Sequence, residues 1–203
     1  MTYLVLTAVL IISGLITFSP RLQPFIQRYN TGINYFLTLL ATFIGVLLAL
    51  AMTNFEEDRK EKEHVIKLLN ATIASVETSA DYSENLIDYY HALPENAAER
   101  VTFYQKNPLP YPDYLDTFLR QNLISRNLSG AALSNLNELI INLKRTQASR
   151  TQIYLQLMQI TQQTLESEKQ FQQGLIDEAT LEKQLAALIA SLAPTSPPQQ
   201  ATQ

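Results

Sequence analysis

The sequence contains no cysteine, and this absence excludes disulfide bonds, thiolate metal sites and thiol nucleophiles. It does not distinguish the cytoplasm from the periplasm. Glycine is also scarce, at 5 of 203 residues, which disfavours a β fold with many turns. An excess of basic residues is missing as well, since the formal net charge is −4, whereas a nucleic-acid-binding protein normally presents a basic face. We therefore expect an all-α protein that does not bind nucleic acid.

The motifs that usually mark an enzyme are absent from the sequence. It has no glycine-rich phosphate loop, no nucleophile elbow and no zincin motif, and it contains only two histidines. Glu61 and His64 have the Glu-x-x-His spacing of di-iron bundles, and Asp88 and His91 have a looser version of it. The two pairs would lie on one helix about 40 Å apart, so they cannot share a metal pair within one subunit. We predict that the protein is not an enzyme and holds no metal or cofactor.

Charge is nearly missing from the first 55 residues, where Arg21 and Arg28 are the only charged side chains. Two apolar runs in this region, residues 2–19 and 33–55, predict a transmembrane helical hairpin. The second run is long enough to cross about 30 Å of hydrocarbon with some tilt, whereas the first is marginal. A signal peptide is the alternative for the first run. It would need a basic n-region and a small-residue cleavage site, and neither is evident, so we predict a retained span.

Small residues recur four apart along the second run, at Ala41, Gly45, Ala49 and Thr53. Such a ridge lets two helix backbones approach closely in lipid, so it predicts packing against the first span or against a second copy of this one. Chance is the alternative, because membrane helices are rich in small residues.

The basic residues near the spans predict the orientation in the membrane. Two arginines lie between the spans, and four basic residues follow the second span, namely Arg59, Lys60, Lys62 and Lys67. Because basic residues concentrate on the cytoplasmic side, the count favours a cytoplasmic location for both the N-terminus and the soluble part. A periplasmic soluble part is the alternative.

The second span continues into a charged segment without a helix breaker, since no glycine or proline occurs between Gly45 and Pro94. Acid-then-base pairs such as Glu56 and Lys60, four residues apart, support a helix there. The sequence therefore predicts one helix over about residues 33–92, some 90 Å long, with a kink near Asn54 as the alternative. The apolar residues that follow a heptad-like spacing in this helix are Ile66, Leu69, Ile73, Val76, Ala80, Ile87 and Tyr90, with Ser83 at one position.

Residues 56–193 are predicted to form an antiparallel helical bundle, and residues 194–203 a disordered tail. We expect helices over about 56–92, 97–105, 113–124, 130–173 and 177–192. Ser129 and Asp177 are predicted N-caps, and Gly174 ends the helix before Asp177. The residues that we predict to form the bundle seam are Ile66, Leu69, Ile73, Val76, Leu136, Leu143 and Leu157.

Three prolines, at positions 108, 110 and 112, stiffen the segment before the third of these helices and exclude a helix there. Such a segment could serve as a proline-rich ligand for an SH3-like partner. A crossover loop between helices is the interpretation that we favour.

The run Ile44-Gly45-Val46-Leu47-Leu48-Ala49-Leu50, followed by Asn54-Phe55-Glu56-Glu57-Asp58-Arg59-Lys60-Glu61, resembles a family of uncharacterised bacterial membrane proteins. In that family a span ends in Asn, an aromatic residue (usually Trp), acids and an Arg, and it continues as a charged helix. The later segment LSGAALSNLNELIINL is loosely similar to the next long helix of the family. This chain differs in having Phe55 and an additional upstream span. The resemblance implies a bacterial envelope setting and carries over no functional residue.

These features together predict a multi-pass protein of the bacterial inner membrane that works through protein contacts, as a scaffold or an accessory subunit. The expected partners are the lipid bilayer and either further copies of the chain or another membrane protein. The alternative function is a membrane-bound sensor that binds a small ligand in the helical bundle.

Overall fold

The computed structural model describes residues 30–148 and 151–192, of which 84% are helical and none lies in a strand. This confirms the all-α prediction. The predicted span 2–19 and the predicted disordered tail 194–203 lie outside the described residues. The helices are α1 (Asn30–Ala92), α2 (Glu99–Lys106), α3 (Asp113–Leu119), α4 (Asn122–Asn127), α5 (Gly130–Thr146), α6 (Thr151–Gln172) and α7 (Glu178–Ala190).

Helix α1 is 63 residues long and includes the whole of the predicted second span. In the part of the chain that the structure describes, it is the one helix long and apolar enough to cross a membrane. Only 6% of its most apolar stretch is buried, so these side chains do not form the core of a water-soluble unit. The chain divides into two compact units at Arg59 and Lys60, inside α1 and four residues beyond the boundary predicted at residue 55.

In the second unit, α1 contributes one face to a hydrophobic core shared with α3 to α6. Two hydroxyl residues on this face, Thr72 and Ser83, are fully buried. Each donates its hydroxyl hydrogen to the carbonyl oxygen four residues earlier, Thr72 to Leu68 at 2.8 Å and Ser83 to Ser79 at 2.7 Å. Because the helix itself satisfies the hydroxyl, these residues occupy core positions at little cost in unpaired polar groups.

The prediction of a single helix over residues 130–173 is wrong, since α5 ends at Thr146 and α6 begins at Thr151. The two helices pack against each other instead of continuing in line. The physical reason is burial: when the chain reverses, the apolar faces of both halves enter one core, with Leu139 of α5 and Leu165 of α6 fully buried. The break between α5 and α6 needs no glycine or proline, because tertiary packing overrides helix propensity. The predicted helix 113–124 is likewise two helices, α3 and α4.

Local capping residues set several helix ends. The side chain of Ser129 accepts a hydrogen bond from the backbone N–H of Ala132 at 3.1 Å, and Asp177 accepts one from Thr180 at 2.9 Å. After α6, Gly174 has a φ of +73°, the left-handed conformation that commonly ends a helix and that favours glycine. Helix α7 then packs on α5 and α6 through a small second cluster, in which Leu181 and Leu185 are buried.

One core hydroxyl is unsatisfied, and it leads to a stability prediction. Thr164 of α6 is fully buried, and its hydroxyl has no hydrogen-bond partner among the residues that the structure describes. We expect Thr164→Val, which removes the hydroxyl and keeps the shape, to raise the free energy of unfolding by about 1 kcal/mol. The matched control is Thr161→Val, because the Thr161 hydroxyl is equally buried but donates to the carbonyl of Leu157 at 2.7 Å. Urea unfolding followed by circular dichroism would measure the free energy of unfolding of both variants. Equal changes for Thr164→Val and Thr161→Val would contradict the prediction.

Candidate functional site

The predicted small-residue ridge lies on the surface of α1. Ala41, Gly45, Ala49 and Thr53 are all exposed, and a Cβ placed on Gly45 would meet nothing within 4 Å. The Thr53 hydroxyl donates to the carbonyl of Ala49 at 3.0 Å, so it is satisfied within the helix. No described helix packs on this ridge, and its role in helix association stays a prediction.

The structure brings most of the predicted bundle seam together. The seam residues found in one buried cluster are Leu69, Ile73, Val76, Leu136, Leu143 and Leu157. Ile66 is the exception, because it is only half-buried while its neighbour Val65 is fully buried in the core. The buried face of α1 is thus rotated toward Val65 and Thr72. The apolar pattern missed Thr72 because threonine was counted as polar. These residues hold the helices of the second unit together.

A groove of about 500 Å³ lies between the last turns of α1 and helix α2. This volume is within the range of small-ligand and peptide-anchor sites. The residues that line it are Leu86, Tyr89, Glu99, Thr102, Phe103, Lys106 and Asn107.

Two aromatic rings form the apolar surface of this groove. Phe103 is buried, and Tyr89 stacks on it with the ring centroids 5.8 Å apart and the ring planes at 22°. Tyr89 remains 58% exposed, so much of its ring faces solvent. Exposed aromatic side chains over a packed support are typical of residues that anchor a protein contact.

Arg100 of α2 contacts the end of α1 through Tyr90. Its Nη2 donates to the carbonyl oxygen of Tyr90 at 3.2 Å, and its guanidinium carbon lies 4.8 Å from the centroid of the Tyr90 ring. A positive charge at a helix C-terminus interacts favourably with the helix dipole, and contact with an aromatic face adds to this. Tyr90 also packs on Tyr104, whose pKa is raised by burial and by the neighbouring Tyr90. The groove is therefore built on a fixed support.

Charges of opposite sign lie at the two ends of α2 along the groove. Glu99 is in its first turn and Lys106 in its last, seven residues or about 10 Å apart. The Asn107 amide donates to the carbonyl of Phe103 at 3.1 Å and so caps the helix. This arrangement suits binding of an apolar surface that carries charges on its flanks. Among the described residues, no group of three or more His, Asp or Glu side chains could hold a metal ion.

Sequence reasoning missed this groove, although a signal was present. Aromatic pairs occur on both sides of the turn at Pro94, as Tyr89 with Tyr90 and Phe103 with Tyr104. Two aromatic pairs at the facing ends of consecutive helices indicate a ring cluster between them.

The three-proline segment is docked into the second unit, as the crossover interpretation predicts. Leu109 is fully buried, and its carbonyl oxygen accepts a hydrogen bond from the Gln147 side chain at 2.5 Å. The carbonyl of Pro110 accepts one from the Tyr154 hydroxyl at 2.7 Å. Burial raises the pKa of Tyr154, which keeps this donor protonated. Because these main-chain groups and Leu109 are engaged inside the fold, the segment does not present a free proline-rich ligand.

A carboxylate on α3 secures the end of this segment. Asp116 accepts hydrogen bonds from the Tyr111 hydroxyl at 2.9 Å and from the Lys144 ammonium of α5 at 2.5 Å. Burial by itself raises the pKa of Asp116, but the hydrogen bonds from Lys144 and Tyr111 outweigh burial and hold the pKa below its ordinary value. Burial and the bond to Asp116 together raise the pKa of Tyr111.

The lowered pKa of Asp116 predicts a pH dependence of stability. The stabilisation is fully present above the pKa of the unfolded state, about 3.9, and is lost as the pH falls through the lower folded pKa. We expect Asp116→Asn to lower the melting temperature at pH 7 and to match wild type at about pH 2. Asp113→Asn, at an exposed position of the same helix, is the control and should change little. The prediction would be refuted if the difference in melting temperature between Asp116→Asn and wild type stayed the same from pH 7 to about pH 2.

A second carboxylate, Glu168 of α6, is fully buried at the beginning of α5. One oxygen accepts hydrogen bonds from the Ser129 backbone N–H at 3.1 Å and the Gln172 amide at 2.8 Å. The other accepts from the Ser129 hydroxyl at 2.7 Å, while the hydroxyl oxygen still caps Ala132. Gln172 also donates to the carbonyl of Asn127 at 2.7 Å. A carboxylate at a helix N-terminus is favourable, and this network closes the α5–α6 pair.

The described part of the chain thus presents one aromatic groove with charged ends, and two polar networks that maintain the fold. Comparisons with protein-family models, with curated proteins and with solved structures found no match for this chain.

Proposed function

We propose that the protein is a membrane-anchored helical scaffold or accessory subunit that works through protein contacts. In this proposal residues 2–19 and 33–55 form a transmembrane hairpin, and residues 56–193 form an antiparallel helical bundle on the cytoplasmic side of a bacterial inner membrane. Further copies of the chain or another membrane protein are the partners.

The observation that carries the proposal is the character of α1. Its first part exposes large apolar side chains to solvent, including Phe36 (62%), Phe43 (61%) and Leu50 (57%). Soluble proteins rarely expose so extended an apolar surface, and a bilayer would cover it. The same helix carries the core residues Leu69 and Val76 of the second unit. A single unbroken backbone therefore belongs to both the apolar segment and the helical unit.

Contacts within the second unit support an antiparallel bundle. Ser129, at the start of α5, bonds to Glu168 near the end of α6. Gln156, near the start of α6, donates to the carbonyl of Ser191 after α7 at 3.4 Å. In both cases the beginning of one helix lies beside the end of another, which is the geometry of neighbours that run in opposite directions.

The exposed groove between α1 and α2 supports a function in protein contacts. It combines a supported aromatic surface at Tyr89 with charges at Glu99 and Lys106. Apolar centres with charged rims are typical of protein interfaces.

Membrane fractionation tests the anchoring, and a C-terminal reporter fusion tests the side. We expect the chain to remain in the membrane pellet after alkaline carbonate extraction, and a phosphatase fused at the C-terminus to be inactive. Extraction into the supernatant would end the membrane proposal. An active phosphatase fusion would place the bundle in the periplasm.

Crosslinking in native membranes tests the scaffold role. A photoreactive residue at Thr102, in the groove, should crosslink to a defined protein or to a second copy. The same photoreactive residue at Gln159, an exposed position of α6, is the control and should not crosslink. A chain that is strictly monomeric and captures no protein at either position would contradict this role.

A ligand sensor is the second candidate, and the size of the groove favours it. A cavity of about 500 Å³ suits a small molecule as well as a protein side chain. A sensor of external ligands requires a periplasmic bundle, so the reporter fusion separates the two functions.

A further inference from the structure

A face of α1 that lies outside the core repeats at helical spacing. Its residues follow one another at alternating steps of four and three, as in the seam of a coiled coil. We call it the tyrosine face, and it consists of Ala71, Ser75, Thr78, Tyr82, Asn85 and Tyr89. All are exposed except the half-buried Ser75, and Tyr82 is 59% exposed. The face carries no charge over about 27 Å of helix, so a second helix can pack along it.

Two hollows open along the tyrosine face. The first has a volume of about 460 Å³, and its lining includes Ala71 and Thr78 of α1 and Tyr114 of α3. The second is the groove of about 500 Å³ at Tyr89 and Phe103. Two hollows spaced along one helix suit apolar side chains that recur along a partner helix, whereas a single small molecule would fill only one of them.

The charges beside the tyrosine face are distributed unevenly between its two edges. On the α1 edge, Asp81 and Asp88 directly precede the two tyrosines and are exposed, seven residues or about 10 Å apart. Among the residues that the structure describes, neither aspartate forms an ion pair. On the α2 edge, Glu99 and Lys106 have opposite charges that cancel. Only the α1 edge therefore has a net charge, and it is negative.

We propose that the tyrosine face binds a helix of a partner protein that carries apolar residues at steps of three and four and a row of Lys or Arg along one edge. This inference rests on the proposed function in protein contacts and names the partner's chemistry. The apolar residues of the partner enter the two hollows and pack on Tyr82 and Tyr89. Its basic residues pair with Asp81 and Asp88, which fixes the orientation of the bound helix.

Charge complementarity favours a different protein over a second copy of this chain. A second copy that pairs through the same face would bring further aspartates at positions 81 and 88 and no basic residue of its own tyrosine face. The negative edge would then remain without a partner charge.

A pair of synthetic peptides tests the proposal. The first is a 21-residue helix with leucine at steps of three and four and lysine along one edge, and the second has glutamate in place of each lysine. Fluorescence anisotropy measures their binding to the full chain in a neutral detergent, which excludes attraction to anionic lipids. We expect the lysine peptide to bind at least about ten times more tightly than the glutamate peptide, because each exposed charge pair contributes modestly and several act together.

Variants of the chain locate the binding. Asp81→Asn combined with Asp88→Asn should weaken binding of the lysine peptide about three- to tenfold. The matched control combines Glu138→Gln with Glu182→Gln, which removes the same amount of charge from exposed positions of α5 and α7. It should change binding less than about twofold. Tyr82→Ala should weaken binding of the lysine peptide about tenfold or more, since exposed tyrosines often dominate such contacts.

Several results would overturn the proposal. They are absence of binding by the lysine peptide, equal binding of both peptides, equal losses in the two double variants, and unchanged binding in Tyr82→Ala. A dimer of the chain in detergent that Tyr82→Ala abolishes would assign the face to a second copy and would overturn the proposal as well. Crosslinking from Thr102 and carbonate extraction test the scaffold role and the membrane anchoring separately, so failure of the peptide experiment rejects the docking surface alone.

Discussion

Replacement of Glu168 by alanine is expected to lower the free energy of unfolding by about 2–4 kcal/mol. The carboxylate accepts three hydrogen bonds, two from Ser129 and one from Gln172; Glu168 is fully buried, and the two donor residues are half-buried. Its removal leaves these half-buried donors without that acceptor, and an unsatisfied donor costs more the more deeply it is buried. Urea unfolding of the detergent-solubilised chain, followed by circular dichroism, measures the change.

Glu166→Ala is the matched control for this prediction. Glu166 lies on the same helix, its side chain is 38% exposed, and its ion pair is with Lys169 at 2.7 Å. Exposed ion pairs contribute little, so we expect a change of at most about 0.5 kcal/mol. Equal effects of the two substitutions would show that the buried network does not stabilise the α5–α6 pair.

Val46→Arg is expected to prevent stable membrane insertion of α1. Position 46 lies near the middle of the apolar segment 33–55, and an arginine at the centre of a membrane helix costs about 2.5–3.5 kcal/mol on insertion scales. Outside a bilayer the same change would have little effect, because Val46 is 54% exposed. Since the proposed first span would keep the chain in the membrane pellet by itself, the measurement is a phosphatase fused at the C-terminus, which becomes active when α1 fails to cross the membrane.

Val101→Arg is the control, since it makes the same valine-to-arginine change outside the apolar segment. Val101 of α2 is 84% exposed and belongs to the second unit, so an arginine there should leave the phosphatase fusion inactive. An inactive fusion of Val46→Arg would indicate that the apolar segment does not lie in hydrocarbon. Active fusions of both variants would also contradict the prediction, because the effect would then not be specific to the apolar segment.

The features that could be predicted from the sequence are those set by neighbouring residues. The lack of glycine and proline between Gly45 and Pro94 allowed α1 to be predicted as one helix, and the structure has Asn30–Ala92 as a single helix. Ser129 and Asp177 were recognised as caps because a cap acts on the N–H three residues later. The seam residues Leu69 and Val76 followed from helical spacing. The aromatic groove was missed, although its tyrosine and phenylalanine pairs are visible in the sequence.

Other features depended on residues far apart in the chain. In α6 Tyr154 is fully buried, while its apolar neighbour Ile153 is 39% exposed. Because α5 ends at Thr146, helical spacing continued from α5 does not determine which face of α6 is buried. Nothing near Glu168 in the sequence indicates that it is buried.

The sequence by itself determined the helical class, the unbroken α1 and the contrast between its apolar first part and its charged continuation, because propensity, capping and periodicity act within one or two helical turns. Only the tertiary structure decided where α5 and α6 separate, which face of α1 is buried and which carboxylate closes the helix pair. Glu168 finds its donor Ser129 at a distance of 39 residues along the chain. Burial of a charge is possible only when such donors are brought to it, and that depends on packing between helices rather than on local sequence.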